Sequence, residues 1–114
     1  MQILNYTGLY VGLTNIAGQP TRILPPQGRA RMEIDGTDFK QTVDGVPIYK
    51  VNHKRIKGLP EPDPNNERFY IISKEVASYI SKRRYDLLVA EEPFQWAGDT
   101  FYRRLVSVST SQKG

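Results

Sequence analysis

Nine glycines and eight prolines cut this chain into stretches too short for a helical bundle. Proline removes a backbone donor and fixes its own φ, and glycine tolerates turns that other residues resist. The segments between them read as strands joined by turns. Ile3 to Ile16 alternates loosely, with Leu9, Val11 and Leu13 on one side. Ala17-Gly18-Gln19-Pro20 turns the chain, and Thr21 to Leu24 is the expected return strand of a hairpin. Pro25-Pro26-Gln27-Gly28 is a rigid turn, with Gly28 read as the residue whose backbone shape others resist. After it, Ala30, Met32 and Ile34 face one way and Arg29, Arg31, Glu33 and Asp35 the other, as in a half-buried strand. The sharpest local signal is Asp44-Gly45 between Phe39–Val43 and Val46–Val51, which predicts a two-residue hairpin. Pro47 then has to sit at an edge or at a non-bonded position of that ladder.

Residues 58–66, GLPEPDPNN, carry three prolines in five positions and predict a stiff extended loop. Arg68 to Ile72 reads as a buried strand. Ser73 is placed as a helix N-cap, Glu75 complements the first turn, and Val76, Ala77 and Ile80 recur at helical spacing. With Lys82-Arg83-Arg84 closing its last turn, this is the one predicted helix, over about 73–84. Asp86 to Ala90 is a further short strand, and Ala97-Gly98 predicts a second tight hairpin pairing about 94–97 with 100–108. The fold class expected is α+β, with a mostly antiparallel, curled or barrel-like sheet and one helix against it. A single globular domain is expected over 1–106, with a frayed tail over 107–114.

At 114 residues the chain has the size of one domain. It contains no cysteine, which excludes disulfides, thiol nucleophiles and zinc–thiolate sites and fits a reducing compartment. No signal peptide is expected in MQILNYTGLYVGL, and no apolar run approaches the length of a membrane span. The lone histidine, His53, stands among Lys50, Lys54, Arg55 and Lys57, a setting that disfavours both a general base and a metal. Glu61 and Asp63 alternate with prolines, and Glu91-Glu92 are adjacent, so neither pair reads as a catalytic dyad. No phosphate-loop, dinucleotide or nucleophile-elbow motif occurs. Neither an enzyme, a metal site nor a cofactor is expected.

Binding is the better expectation. The net charge is +4, which favours anionic partners at long range. Arg29 and Arg31 share a strand face two residues apart, a spacing that suits two oxygens of a phosphate or carboxylate. Lys54 and Arg55 belong to the densest basic cluster, and Tyr49 and Tyr70 are candidates for stacking on a base. These six residues are the candidate ligand site. Aromatics in a β-rich domain also pack cores, and alternate charges also face solvent, so the site is weighed against that plainer reading. Nucleic-acid binding is a separate and weaker reading, since no helix-turn-helix, zinc-finger or RNP-type motif is visible.

Several motifs combine in one order: Pro25-Pro26-Gln27-Gly28, Asp44-Gly45-Val46-Pro47, Gly58-Leu59-Pro60-Glu61-Pro62, Tyr70-Ile71-Ile72-Ser73 and Asp86-Leu87-Leu88-Val89. Over about residues 22–90 this resembles a family of small phage and prophage proteins with PPSG-, DGVPV-, GLPEP- and YIVS-like motifs. Such proteins open with Asn-Leu-Thr-Pro-His. Here the opening reads Asn5-Tyr6-Thr7-Gly8-Leu9, without the Pro and His, and Glu91-Glu92-Pro93-Phe94 replaces the family's Pro-Asp-Thr-Gly-Pro-like segment. The resemblance implies a phage-encoded accessory protein acting in the cytoplasm of an infected bacterium, without a class activity. Two roles follow as expectations: antagonism of host defence, by sequestering a nucleotide-derived signal or binding a host effector, and a part in virion assembly. A β domain of this kind also completes its edges by symmetric pairing, so a homo-oligomer is a further expectation.

Overall fold

A computed structural model describes residues 1–80 and 84–108, with the side chains of residues 35 and 51–54 outside the description. Its strands are β1 (Gln2–Asn5), β2 (Val11–Thr14), β3 (Pro20–Leu24), β4 (Arg31–Val43), β5 (Val46–Lys57), β6 (Arg68–Ile71), β7 (Leu87–Trp96) and β8 (Asp99–Ser107), with one helical turn, α1 (Lys74–Ala77). Six strands form one sheet in the order β1-β6-β7-β8-β2-β3, and β4 and β5 pair only with each other. The molecule is mostly β, as expected, and its large sheet is nearly closed into a barrel. The sheet is mixed, however: β1–β6, β6–β7 and β8–β2 are parallel, whereas β7–β8 and β2–β3 are antiparallel. Antiparallel neighbours can be read from local turns. Parallel ones join segments far apart in sequence, which no turn signals.

Closure falls to the segment after β1. Asn5 and Thr7 bridge to Pro26 and Arg29, and the Tyr6 carbonyl accepts from the Ala30 amide at 2.9 Å. The Asn5 side chain, 1% exposed, donates to the carbonyls of Leu9 and Leu24 and accepts from the Thr7 amide and hydroxyl. One amide thus ties the end of β1 to the end of β3. β6 alternates between two core layers: Tyr70 and Ile72 pack with Ala30, Val76, Leu87 and Val89, and Ile71 packs with Val11 and Leu13. Burial on both faces is why this strand reads as a continuous apolar run. Gly28 proves necessary through close approach, because the Tyr6 ring lies 2.7 Å from where its Cβ would be.

Both expected hairpins form. Asp44 and Gly45 have φ of 53° and 77°, and Ala97 and Gly98 have 53° and 86°, so each turn is of the mirror-image type that matches strand twist. Val43 pairs with Val46 and Thr42 with Pro47, which puts Pro47 at the non-bonded pair where its missing N–H is harmless. Ala97 holds a left-handed conformation that alanine resists. Ala97→Asn is expected to stabilise the protein by about 0.5–1 kcal/mol. Urea unfolding checks this as a higher midpoint at unchanged slope.

The helix is shorter than expected. Ser73 caps it through Val76 N at 3.1 Å, but it ends after one turn, where the Ser78 hydroxyl takes the Glu75 carbonyl at 2.6 Å. Such local side-chain bonds compete with helix propagation. Arg84 closes no helix turn. It makes a two-bond pair with Asp86 at 2.9 and 2.7 Å and donates to the Pro60 carbonyl, pinning the proline loop; residues 81–83 lie outside the described residues. At the other end, β8 runs to Ser107 and the Val108 amide bonds Leu87 O at 3.0 Å, so the sheet extends beyond the expected boundary at 106. Residues 109–114 of the expected tail are outside the description.

Candidate functional site

The β4–β5 ribbon dominates the surface. Thirteen residues of β4 against strands of four or five residues in β1, β2, β3 and β6 leave most of it without a barrel strand to lie on. At about 3.3 Å per residue it reaches roughly 40 Å. The long axis of the molecule is 59 Å, and its radius of gyration is 17.8 Å, against about 13 Å for a compact domain of this size. The expected half-buried strand therefore holds only at the root: Ala30 is buried, Met32 half-buried and Ile34 53% exposed. Among the described residues, no strand other than β5 pairs with β4 once it leaves the barrel.

Farther out the arm carries Phe39, Val43, Val46 and Tyr49, all about half exposed, with Ile48 at 36%. Phe39 and Tyr49 are cross-strand partners and meet edge to face at 5.7 Å. Alternation in the ladder puts Tyr49 and Pro47 on one face and Val46 and Ile48 on the other. Both faces of the distal arm are thus partly apolar. The charge is divided by strand: β5 holds Lys50, Lys54, Arg55 and Lys57 with no acid, whereas β4 holds Glu33, Asp35 and Asp38 beside Arg31 and Lys40.

A cleft of about 330 Å³ opens on the barrel. Its floor is Val11, Ile72 and Val89, all buried, and its rim includes Leu9 and Tyr10, exposed by 73% and 68%. Thr7, Ser73, Lys74, Glu91, Glu92 and Tyr102 supply polar groups to the lining. Glu92 has a φ of 60°, a conformation that costs a non-glycine residue of order 1 kcal/mol. Arg104 bridges Glu91 at 3.1 Å and Glu92 at 3.5 Å.

Of the residues picked from sequence, Arg29, Arg31 and Arg55 lie near the root of the arm, and Tyr49 and Tyr70 do not join them. Arg29 is exposed at the bridge to Thr7, with its stem against Gly8. Arg31 is half exposed and bonds Glu33 at 2.9 Å. Tyr70 is 2% exposed and packs edge-on to Tyr6 at 5.4 Å, so its ring belongs to the core and offers no stacking face. Tyr49 lies far along the arm, and Arg55 stands opposite Glu33 in the ladder. The side chain of Lys54, like that of His53, lies outside the described residues. Clefts of about 180, 230, 290 and 330 Å³ are lined by none of Arg29, Arg31, Tyr49, Tyr70 and Arg55. Of the carboxylates, Asp63 caps its own loop, accepting from the amides of Asn65 and Glu67. Among the described residues no group of three or more His, Asp or Glu is arranged to hold a metal, and no helix is long and apolar enough to cross a membrane.

Two features lie outside the sequence expectations, the length of the arm and the cleft. The first had a signal: alternating stretches of a dozen residues on both sides of Asp44-Gly45 outrun every neighbouring strand. The cleft had none, because Leu9, Ile72 and Glu91 meet only through parallel pairing. In comparisons with family models, curated proteins and solved structures, nothing matches this chain.

Proposed function

We propose that this chain is a non-enzymatic binding protein that grips a protein partner with its β4–β5 arm. The observation that carries the reading is the uncovered arm, with large apolar side chains on both of its faces. An isolated two-stranded ribbon is marginal in water, and apolar patches of this kind mark interaction surfaces. The setting follows from the phage resemblance: in an infected bacterium such an arm serves to bind a host effector or to join an assembling particle. Capture of a nucleotide-derived signal has less support, since Tyr70 lies in the core and Arg31 is engaged by Glu33.

A photo-crosslinking residue placed at Phe39 or Tyr49 in producing cells tests the reading. Protein adducts are expected from both positions and not from Ile16, which is fully exposed on a turn of the barrel. An absence of protein adducts from both arm positions overturns the proposal.

A further inference from the structure

Resting on that reading, we infer that the arm's partner is a second copy of this chain, whose barrel cleft receives the arm tip. Two uncovered apolar features occur on one molecule. Val43 and Val46 flank the turn at the tip, 47% and 56% exposed, and the cleft has an apolar floor beneath an exposed Leu9 and Tyr10. The cleft volume, about 330 Å³, lies at the lower end of the range of binding clefts and holds a few aliphatic side chains.

Charge favours the same pairing. Asp44 at the tip meets Lys74 of the cleft lining, and Lys50, the cation of β5 nearest the tip, follows toward a rim that holds Glu91 and Glu92. A two-fold contact of β5 with β5 would instead set like charges against each other. The apolar side chains of the arm expose roughly 500 Å² together, and covering them with an equal area of a neighbour reaches the roughly 1,000 Å² of a specific interface. The arm is rooted on the barrel at Met32 and Ile56 and runs outward as a hydrogen-bonded ribbon, so its tip serves a neighbour. Such a contact is head to tail, and it propagates into a ring or a filament.

Sedimentation of the purified full chain over a wide concentration range is expected to show growth beyond a dimer. V43K/V46E removes the apolar tip while keeping an oppositely charged cross-strand pair. L9K/Y10K sets cations on the cleft rim at side chains exposed to solvent. Each double variant alone is expected to remain monomeric, and their mixture to form 1:1 pairs that grow no further, since one intact tip meets one intact cleft. The chain lacks cysteine, so a mixture of Val46→Cys and Tyr10→Cys proteins gives an independent reading, an intermolecular disulfide between unlike variants. It also serves should a double variant fail to fold. A monomeric unaltered protein, a mixture that fails to pair, or no mixed disulfide overturns the inference. Arm adducts to another protein in cells, with a monomeric pure chain, overturn self-assembly and leave the arm's docking role standing. No arm adducts at all removes both.

Discussion

Asn5→Ala is expected to destabilise the protein by about 3 kcal/mol. The buried amide makes four hydrogen bonds, two given to carbonyls and two accepted from Thr7. Alanine leaves the Leu24 carbonyl and the Thr7 amide without these partners, and unmade buried bonds cost more than made ones contribute. Thr7→Ala removes one hydroxyl at a more open position and is expected to cost about 1 kcal/mol. Asn5→Asp keeps the acceptor but turns a donor into a negative oxygen facing two carbonyls, so it should exceed alanine in its effect. Equilibrium urea unfolding of the three variants measures the order. A loss within about 0.5 kcal/mol for Asn5→Ala would show that backbone bridges alone hold the barrel shut.

Gly58→Ala is expected to cost about 4 kcal/mol, combining backbone strain with overpacking. Gly58 has a φ of 82°, and an added Cβ would lie 3.2 Å from the Arg29 carbonyl carbon and closer still to its oxygen. That oxygen is backbone and cannot swing away. The site is where the returning end of the arm crosses its outgoing root, so the substitution should also disturb the angle at which the arm leaves. Gly45→Ala is the control: its φ is 77°, but nothing lies within 4 Å of its added Cβ. It should cost about 1 kcal/mol, the conformational part alone. Equal losses for the two variants would remove the close approach as a cause.

Asn5 shows how a residue can be legible without its role being so. Asn5-Tyr6-Thr7 can be picked out in the sequence, yet only the fold reveals that Asn5 and Thr7 form a hydrogen-bonded knot. Arg29 and Arg31 show the converse. Their alternation in sequence is real, but the backbone leaves the barrel between them and the next few residues, and none of the four clefts described above is lined by either. Tyr70 was ambiguous between a stacking ring and a core ring, and burial on β6 decides for the core.

What the residues alone determined is local: two mirror-image turns at Asp44-Gly45 and Ala97-Gly98, the proline loop after Gly58, the cap at Ser73 and the apolar run of β6. Each depends on φ preferences, missing donors or side-chain bonds that act within a few positions. The tertiary structure alone decided the parallel pairings, the closure through Asn5, the one-turn helix and the freedom of the arm. Those depend on which distant segments come to lie together and on where support beneath a strand runs out, and neither is encoded in any short stretch of the chain.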